Sequence, residues 1–492
     1  MQEAPGQDLT ITVAILNHRR PDLLPRALAG VSQLDHPAFE IVVVGDQPEL
    51  GSYRLPEWLA TQVNYVHFAE PNICRARNHA IRAARGEIVA FIDDDAVPEP
   101  TWLRELTVPF TDPNVAAVGG GVRSSDGITM EWQGGTFDRS GNESYLEISE
   151  DATVYPAEHQ RSSGRYLSLR GVNSAFRRST IMQVGGFDEA IRYYLDETDL
   201  ALRLADAGWS AALARRAEVH HLLIPNATRG LLRKPGNQHE IGAAKAHFCK
   251  KHLRGDPQSA LDAFLDRRIT MLDPQMRLGI VRTGDRNKLT EQLTDGFRDG
   301  LNREAVHPLK PDTPGPFAPF HPRTANVFHI AIETGWHPET NAALLEFGSY
   351  LAKIGQRVSH FGYRSGAHPP RVTYRDGMWH HRGGTWTLPD RQSGALAISR
   401  KARSAAERTR IQRVRRFDCI LSARTSDDGA QIIELPGSRQ KIAMQVQEGF
   451  SGKEDIFAMM LQSVADSYAS AQNTGKDAIG RLDTEGLVRT AS

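Results

Sequence analysis

The sequence has few cysteines and no charge surplus of either sign. Only three of its 492 residues are cysteine, and they stand far apart at Cys74, Cys249 and Cys419. Without a CxxC pair, a disulfide framework and a zinc module are both disfavoured, and a reducing compartment is expected. Lysine and arginine total 59, as do aspartate and glutamate. This balance gives no electrostatic reason to expect a nucleic-acid partner.

Long apolar runs are also missing. No stretch of about 18 apolar residues occurs, so no transmembrane helix is predicted. The opening segment MQEAPGQDLT lacks the basic and apolar regions of a signal peptide. We therefore expect a cytoplasmic protein, and peripheral contact with the inner face of a membrane stays compatible with the sequence.

Short apolar runs alternate with amphipathic segments in the first hundred residues. Buried strands are predicted at ITVAILN (11–17), EIVVVGD (40–46), VNYVHFA (63–69) and EIVAFIDDD (87–95). A helix is predicted between the first two strands and another, NICRARNHAIRAARG (72–86), before the fourth. This alternation predicts an α/β fold with a doubly wound, mostly parallel sheet, in which ligands bind at the carboxyl ends of strands.

The rest of the chain divides by composition. We predict a catalytic domain over 1–225, a mainly helical extension over 226–311 and a proline-rich linker, DTPGPFAPFHPRT, at 312–324. A second, smaller Rossmann-like α/β domain is expected over 325–475, beginning with HIAIET and the helix NAALLEFGSYLAKIGQ. Residues 476–492 are predicted to be a flexible tail.

Acidic residues occur at the ends of two of the predicted strands. Asp46 ends the second strand, and Asp93, Asp94 and Asp95 end the fourth. Strand alternation puts Asp93 and Asp95 on one face and Asp94 on the other. Two such carboxylates can share a hard divalent cation, Mg²⁺ or Mn²⁺, which would neutralise a leaving diphosphate. The alternative is an acidic turn solvated by water.

Five segments in order resemble a family 2 glycosyltransferase of the GT-A fold, over residues 10–225. They are ITVAILNHRRPDLLPRAL, EIVVVGD, NICRARNHAIRAARGEIVAFIDDDAVPEPTWL, RGVNSAFRRSTIMQVGGFDE and YLDETDLALRLADAGW. The resemblance implies transfer of a sugar from a nucleoside-diphosphate-sugar to an acceptor hydroxyl, usually with a divalent metal and inversion at the anomeric carbon. The acceptor expected from the family is a saccharide or glycolipid in polysaccharide or glycoconjugate synthesis.

The resemblance also implies roles for individual residues. Asp95 and Asp93 would hold the metal. The implied donor-binding residues are Asp46, Arg77, Asn78, Asp93 and Asp94. The family often has two acids after the second strand, whereas this chain has Gly45 before Asp46.

Asp196 and Glu197, in the segment DETDL, are the candidates for the catalytic base. An inverting transfer needs a carboxylate within hydrogen-bond reach of the acceptor hydroxyl. Glu197 lies where the family usually has its base, but the order Asp-Glu leaves the choice between the two open. The alternative role is capping, because acids are favourable at a helix N-terminus.

Four further positions are candidate ligands. The resemblance implies that a histidine, His220 or His221, completes the metal shell, and alternation along a strand allows only one of them to do so. Asn173 and Asp188 are predicted to contact the acceptor; the alternatives are the donor phosphates for Asn173 and a turn for Asp188.

The C-terminal domain resembles, more loosely, the N-terminal half of a GT-B glycosyltransferase. Its length is too short for both halves of such an enzyme, so an accessory role in binding an acceptor or a partner is expected. Two other functional classes stay open for the chain. One is a sugar-phosphate nucleotidyltransferase, which the glycine-free loop NHRRPD after the first strand disfavours. The other is a non-catalytic carbohydrate-binding or scaffold protein.

Overall fold

A computed structural model describes residues 8–146, 154–156, 164–225, 228, 230, 234–323, 327–335, 338–386, 399–417, 419–425, 431–433 and 442–444. These residues form two compact units. The first comprises Met1–Leu28, Leu34–Ser124 and Met130–Phe320, and the second Ala29–Gln33, Ser125–Thr129 and His321–Ser492. The predicted tail at 476–492 lies outside the described residues.

The first unit contains a large mixed sheet and a smaller three-stranded one. Its strands are β1 (Ile11–Asn17), β2 (Phe39–Gly45), β3 (Val63–His67), β4 (Ile88–Asp93), β5 (Ala96–Pro98), β6 (Val115–Arg123), β7 (Met130–Trp132), β8 (Gly135–Phe137), β9 (Glu143–Tyr145), β10 (Val154–Pro156), β11 (Tyr166–Leu167), β12 (Asn173–Arg177) and β13 (Ser210–His221). The order in the large sheet is β10-β13-β6-β12-β4-β1-β2-β3. Strands β1 to β4 are mutually parallel, and β12 inserts antiparallel between β4 and β6. The predicted α/β class is confirmed, but the sheet is mixed rather than mostly parallel, because β5, β7, β10 and β12 all pair antiparallel to their neighbours.

Helices cover the sheet and continue into the predicted extension. They are α1 (Leu24–Val31), α2 (Glu57–Ala60), α3 (Ile73–Ala83), α4 (Trp102–Thr107), α5 (Arg178–Gln183), α6 (Asp196–Asp206), α7 (His239–His252), α8 (Gln258–Thr270), α9 (Asp273–Arg277) and α10 (Thr283–Asn302). Helix α3 begins at Asn72, whose side chain accepts from the Arg75 backbone N–H at 3.1 Å. It ends at Ala83, three residues before the end of the predicted helix at Gly86.

The proline-rich segment packs against the first unit up to Phe320. Asp312 forms an ion pair with Arg178 at 2.6 Å. Phe320 stacks on Phe39 with ring centroids 5.0 Å apart, and its backbone N–H donates to the Phe39 carbonyl. The predicted linker therefore contributes to the surface of the first unit over residues 312–320.

The second unit has its own sheet with the order β16-β17-β15-β14-β18-β19-β20. Its elements are β14 (His329–Glu333), α11 (Pro338–Lys353), β15 (Arg357–Arg364), β16 (Arg371–Arg375), β17 (Met378–Gly384), α12 (Arg400–Ile411), β18 (Cys419–Thr425), β19 (Gln431–Ile433) and β20 (Ile442–Met444). Strands β17, β15, β14 and β18 are parallel, as the Rossmann-like prediction requires.

None of the helices that the structure describes is both long enough and apolar enough to span a membrane.

Gly86 is the position where the first unit has no room for a side chain. A Cβ there would lie 2.6 Å from the Thr12 backbone nitrogen and 2.7 Å from the Ile11 carbonyl carbon.

We predict that Gly86→Ala lowers the free energy of unfolding by about 1–3 kcal/mol, because β1 must move to admit the methyl group. Gly284→Ala is the control, since a Cβ on that helical glycine meets nothing within 4 Å. It should leave stability unchanged or raise it by up to ~1 kcal/mol in urea unfolding. Equal midpoints for the two variants would contradict the packing at Gly86.

Candidate active site

The site lies where the carboxyl ends of three parallel strands meet. Asn17, the last residue of β1, pairs in register with Gly45 of β2, and Leu16 pairs with Asp93 of β4. Asp46 follows β2 and the aspartate triplet ends β4, so the two predicted groups of acids lie at the same edge of the sheet.

Asp93, Asp95 and His221 form a cluster in which one ligand atom from each lies within 4.8 Å of the others. Strand pairing explains how a distant histidine arrives there. Strand β5 directly follows the triplet and pairs with the end of β13, with His221 opposite Ala96. The His221 Nε2 lies 3.3 Å from the Asp95 Oδ1. Two carboxylates and one imidazole fit a divalent cation such as Mn²⁺, so these residues could hold the predicted metal.

The charges and hydrogen bonds inside the cluster shift the pKa values of its three residues. Burial opposes charge on His221, but hydrogen bonds with Asp95 and Glu131 outweigh it and raise the histidine's pKa to about 10. Burial likewise acts against ionised Asp95, yet the His221 contact lowers the carboxyl's pKa to about 2. Burial, followed by the charge of Asp95, raises the pKa of Asp93. A positive group is therefore stabilised beside these carboxylates.

His220 lies outside the cluster. Its Nε2 is 2.7 Å from the Glu99 Oε1, and both side chains are buried. The alternation along β13 thus selects His221, and the metal assignment for His220 is corrected.

Asp94 connects the end of β1 and the loop that follows it to the aspartate triplet. Its Oδ2 accepts from the Asn17 side-chain amide at 2.6 Å, and its Oδ1 pairs with the Arg20 guanidinium. Arg20 also approaches the Asp95 Oδ2 at 3.5 Å. Asp94 is fully buried, which raises its pKa to about 7 against the opposing effect of Arg20. These contacts give Asp94 a structural role, and its predicted contact with the donor stays a prediction.

Asp46 stands at the end of β2 and faces the same loop. Its Oδ2 accepts from the Arg19 backbone N–H at 2.8 Å. The glycine before it has a steric cause, since a Cβ on Gly45 would overlap the Tyr53 hydroxyl and lie 2.8 Å from that of Tyr65. Two tyrosines therefore occupy the space that a second acid would need.

Arg77 connects helix α3 to the entrance of α6. Its buried guanidinium pairs with the Asp196 carboxylate and lies over the rings of Phe91 and Phe187, 5.4 and 5.1 Å from their centroids. The negative charges of Asp196, Glu197 and Asp93, in that order, favour its charged form over the cost of burial. Arg77 therefore lies within the electrostatic influence of both predicted centres, which are the two candidate catalytic bases and the metal cluster.

Glu197 is the member of the pair that Arg77 does not bind directly among the described contacts. Burial, and next the charge of Asp196, raise the pKa of Glu197 well above its usual range. Two neighbouring carboxyl groups in such different environments can have different roles. Glu197, with its raised pKa, is suited to accept a proton, whereas Asp196, paired with Arg77, is suited to a structural role.

Two predicted contact residues, Asn78 and Asn173, are buried and form hydrogen bonds within the protein. The Asn78 amide exchanges hydrogen bonds with the Phe187 backbone, both 2.9 Å. Asn173 accepts from the Trp102 indole N–H at 2.8 Å and donates to the carbonyls of Gly121 and Ala217. These hydrogen bonds give both residues a structural role, and the donor contact of Asn78 and the acceptor contact of Asn173 stay predictions.

Asp188 is likewise a structural residue. It accepts from His247 Nε2 and from Lys251 Nζ, both at 2.9 Å, and from the Val306 backbone N–H at 2.8 Å. Lys251 also donates to Asp199 at 2.7 Å, so one lysine of α7 ties the helical extension to the first turn of α6. The predicted acceptor contact of Asp188 stays a prediction beside this structural role.

Sequence reasoning missed Arg20, Glu131 and Lys251. Arg20 could have been found from the sequence, because its loop NHRRPD follows β1 and therefore lies at the same sheet edge as the aspartate triplet. Glu131 and Lys251 are single charges without periodicity or a motif, and only the tertiary pairing shows their partners.

Comparison with known proteins identifies the class. Residues 12–179 match the family described as glycosyl transferase family 2. The chain is 27% identical over 211 residues to the O-antigen biosynthesis protein RfbC of Myxococcus xanthus, covering 41% of this chain and 16% of the relative. It is 30% identical over 131 residues to the succinoglycan biosynthesis protein ExoM of Rhizobium meliloti, covering 25% of this chain and 42% of the relative. The chain thus spans less than half the length of these curated relatives.

A solved structure of GalNAc-T7 with UDP, GalNAc and Mn²⁺ is 15% identical, with a TM-score of 0.40, over 59% of this chain and 55% of that one. The TM-score is low, so the fold assignment rests on the strand order and the family match. Residues 12–179 thus resemble family 2 glycosyltransferases, and the mixed sheet with its flanking helices is GT-A-like.

Lys251 gives a direct test of the structural role of Asp188. We predict that Lys251→Met lowers the free energy of unfolding by about 3–5 kcal/mol, because it removes the cation shared by two fully buried carboxylates. The adjacent Lys250 pairs with Glu304, which is 86% exposed, so Lys250→Met should cost at most about 1 kcal/mol. Urea unfolding of both variants measures the difference, and similar losses would contradict the assignment.

Proposed function

We propose that the first unit is an inverting, metal-dependent glycosyltransferase that moves a sugar from a nucleoside-diphosphate-sugar to an acceptor hydroxyl. The observation that carries this proposal is the placement of Asp93, Asp95 and His221 at the strand ends, with Arg77 in the field of both this cluster and Glu197. In this proposal the diphosphate site and the base both lie within the electrostatic influence of Arg77.

In this proposal the donor lies along the carboxyl edge of β1, β2 and β4. Asp46 would contact the nucleoside, because it follows β2 and is the acid furthest along the edge from the cluster. Asp93, Asp95 and His221 would hold a divalent cation, which acts as a Lewis acid on the departing diphosphate. Arg20 brings a fixed positive charge to the same edge, where negative charge develops on the leaving group.

We assign the base to Glu197 rather than Asp196. Asp196 is neutralised by Arg77 and serves to fix the start of α6. Glu197 would accept the proton of the acceptor hydroxyl as that oxygen attacks the anomeric carbon opposite the diphosphate. The acceptor is expected to be a saccharide or glycolipid, and the product a polysaccharide or glycoconjugate. The second unit, with its Rossmann-like sheet, is proposed to be an accessory domain resembling half of a GT-B enzyme.

Asp95 tests the metal role. We predict that Asp95→Ala lowers sugar transfer by about 10²–10³-fold, because several kcal/mol of leaving-group stabilisation is lost. A panel of UDP-, GDP- and dTDP-sugars with and without Mn²⁺ would be followed by calorimetry and product release, with the exposed Asp112→Ala as control. Undiminished turnover in Asp95→Ala contradicts the proposal. Consumption of nucleoside triphosphate with sugar phosphate would support a nucleotidyltransferase, and binding without turnover a carbohydrate-binding protein.

The pH dependence of sugar transfer tests whether Glu197 is the catalytic base. The base must be deprotonated, and the pKa of Glu197 is raised well above 4.5, its usual value. We therefore predict that kcat/KM rises with pH through an acid limb lying well above pH 4.5. Glu197→Gln should lower kcat by about 10²–10⁴-fold and abolish that limb while Mn²⁺ still binds. Asp206→Asn, at the other end of α6, is the control. A limb that persists in Glu197→Gln would assign the base elsewhere.

A further inference from the structure

Glu131 contacts the histidine of the proposed metal cluster from the side opposite the cluster. The His221 Nδ1 lies 3.1 Å from the Glu131 Oε2, whereas its Nε2 faces the Asp95 Oδ1 at 3.3 Å. The two ring nitrogens thus have different partners, one inside the cluster and one outside it. The ring is 9% exposed and Glu131 27% exposed, so water screens this contact only in part.

Glu131 is carried by a short strand with a fixed position. Strand β7 pairs with the end of β6, with Trp132 opposite Val122. The Trp132 ring is buried, and the Arg170 guanidinium lies over it at 3.8 Å. The strand that presents Glu131 is therefore held by packing on one side and by backbone pairing on the other.

The hydrogen bond decides which ring nitrogen can act as a ligand. A carboxylate only accepts, so the nitrogen that contacts Glu131 carries the proton. A neutral imidazole has one N–H, and its other nitrogen then offers a lone pair. By the same rule Nε2 carries a proton where it faces the Asp95 carboxylate at 3.3 Å. A divalent cation held by Asp93 and Asp95 would displace that proton while Nδ1 keeps its own, and the lone pair of Nε2 would then point toward the cation. Carboxylate partners of this kind orient histidine ligands and increase their basicity.

We propose that Glu131 is a positioning residue that holds His221 with its Nε2 directed at a divalent cation bound by Asp93 and Asp95. This inference rests on the proposed metal-dependent function. Glu131 itself contacts neither donor nor acceptor, and it acts only through the imidazole. The neighbouring pair of Glu99 and His220 has the same chemistry but lies outside the cluster, and it supplies a matched control.

The test measures Mn²⁺ binding to the full chain without substrate. The loss of the free Mn²⁺ signal in electron paramagnetic resonance gives Kd, and electron spin-echo modulation from ¹⁴N reports a coordinated imidazole. We expect Glu131→Ala to weaken Mn²⁺ binding by about 10–100-fold and to reduce the ¹⁴N modulation. Glu131→Gln should lose less, because its amide oxygen still accepts from Nδ1. His221→Ala sets the signal without an imidazole ligand, and Glu99→Gln should match the wild type.

The outcomes separate this inference from the proposed function. If the wild type binds Mn²⁺ with ¹⁴N modulation and Glu131→Ala does the same, the positioning role is overturned. If Glu99→Gln loses as much affinity as Glu131→Ala, the loss reflects removal of any nearby carboxylate, which also overturns it. If the wild type binds no Mn²⁺, the proposed metal dependence fails and this inference with it. Circular dichroism on every variant verifies that the fold is retained.

Discussion

The constraint on which the site depends is the compensation of three adjacent aspartates at the end of one strand. Buried carboxylates are costly unless a cation or hydrogen-bond donors lie against them. Asp94 has Arg20 and Asn17, and Asp95 has His221. Asp93 has no ion-pair partner among the described residues, and it is the most exposed of the three. The protein thus neutralises two of the acids internally and leaves the third facing the strand edge, where an added cation would complete the balance.

The same rule organises the rest of the first unit. Arg77, buried against two phenylalanines, neutralises Asp196 and so fixes the start of α6 beside the cluster. Lys251 neutralises Asp188 and Asp199 together, and thereby attaches the helical extension to the first turn of that helix. These are buried ion pairs, whose disruption is expensive although their formation contributes little net stability. Their consequence is positional, because each one joins an element of the site to an element distant in sequence.

Much of the fold could be predicted because apolar runs and helix caps are local. Strands β1, β2 and β15 and the cap at Asn72 follow directly from such patterns. Asp93, Asp95 and one of two histidines were also predictable, because strand ends collect ligands in parallel sheets. The choice of His221 was not, since it depends on the pairing of β13 with β5. Asn173 and Asp188 looked like contact residues in a motif, yet their partners, Trp102 and Lys251, lie about 60–70 residues away and are visible only in three dimensions.

An anomalous-scattering map from crystals grown with Mn²⁺ and a nucleoside diphosphate would show directly whether the aspartate cluster binds a cation. We expect one Mn²⁺ peak in contact with carboxylate oxygens of Asp93 and Asp95 and with the Nε2 of His221, and with the diphosphate on its open side. Diphosphate bound at this edge with no Mn²⁺ peak there, and with His221 still paired to Asp95, would contradict it.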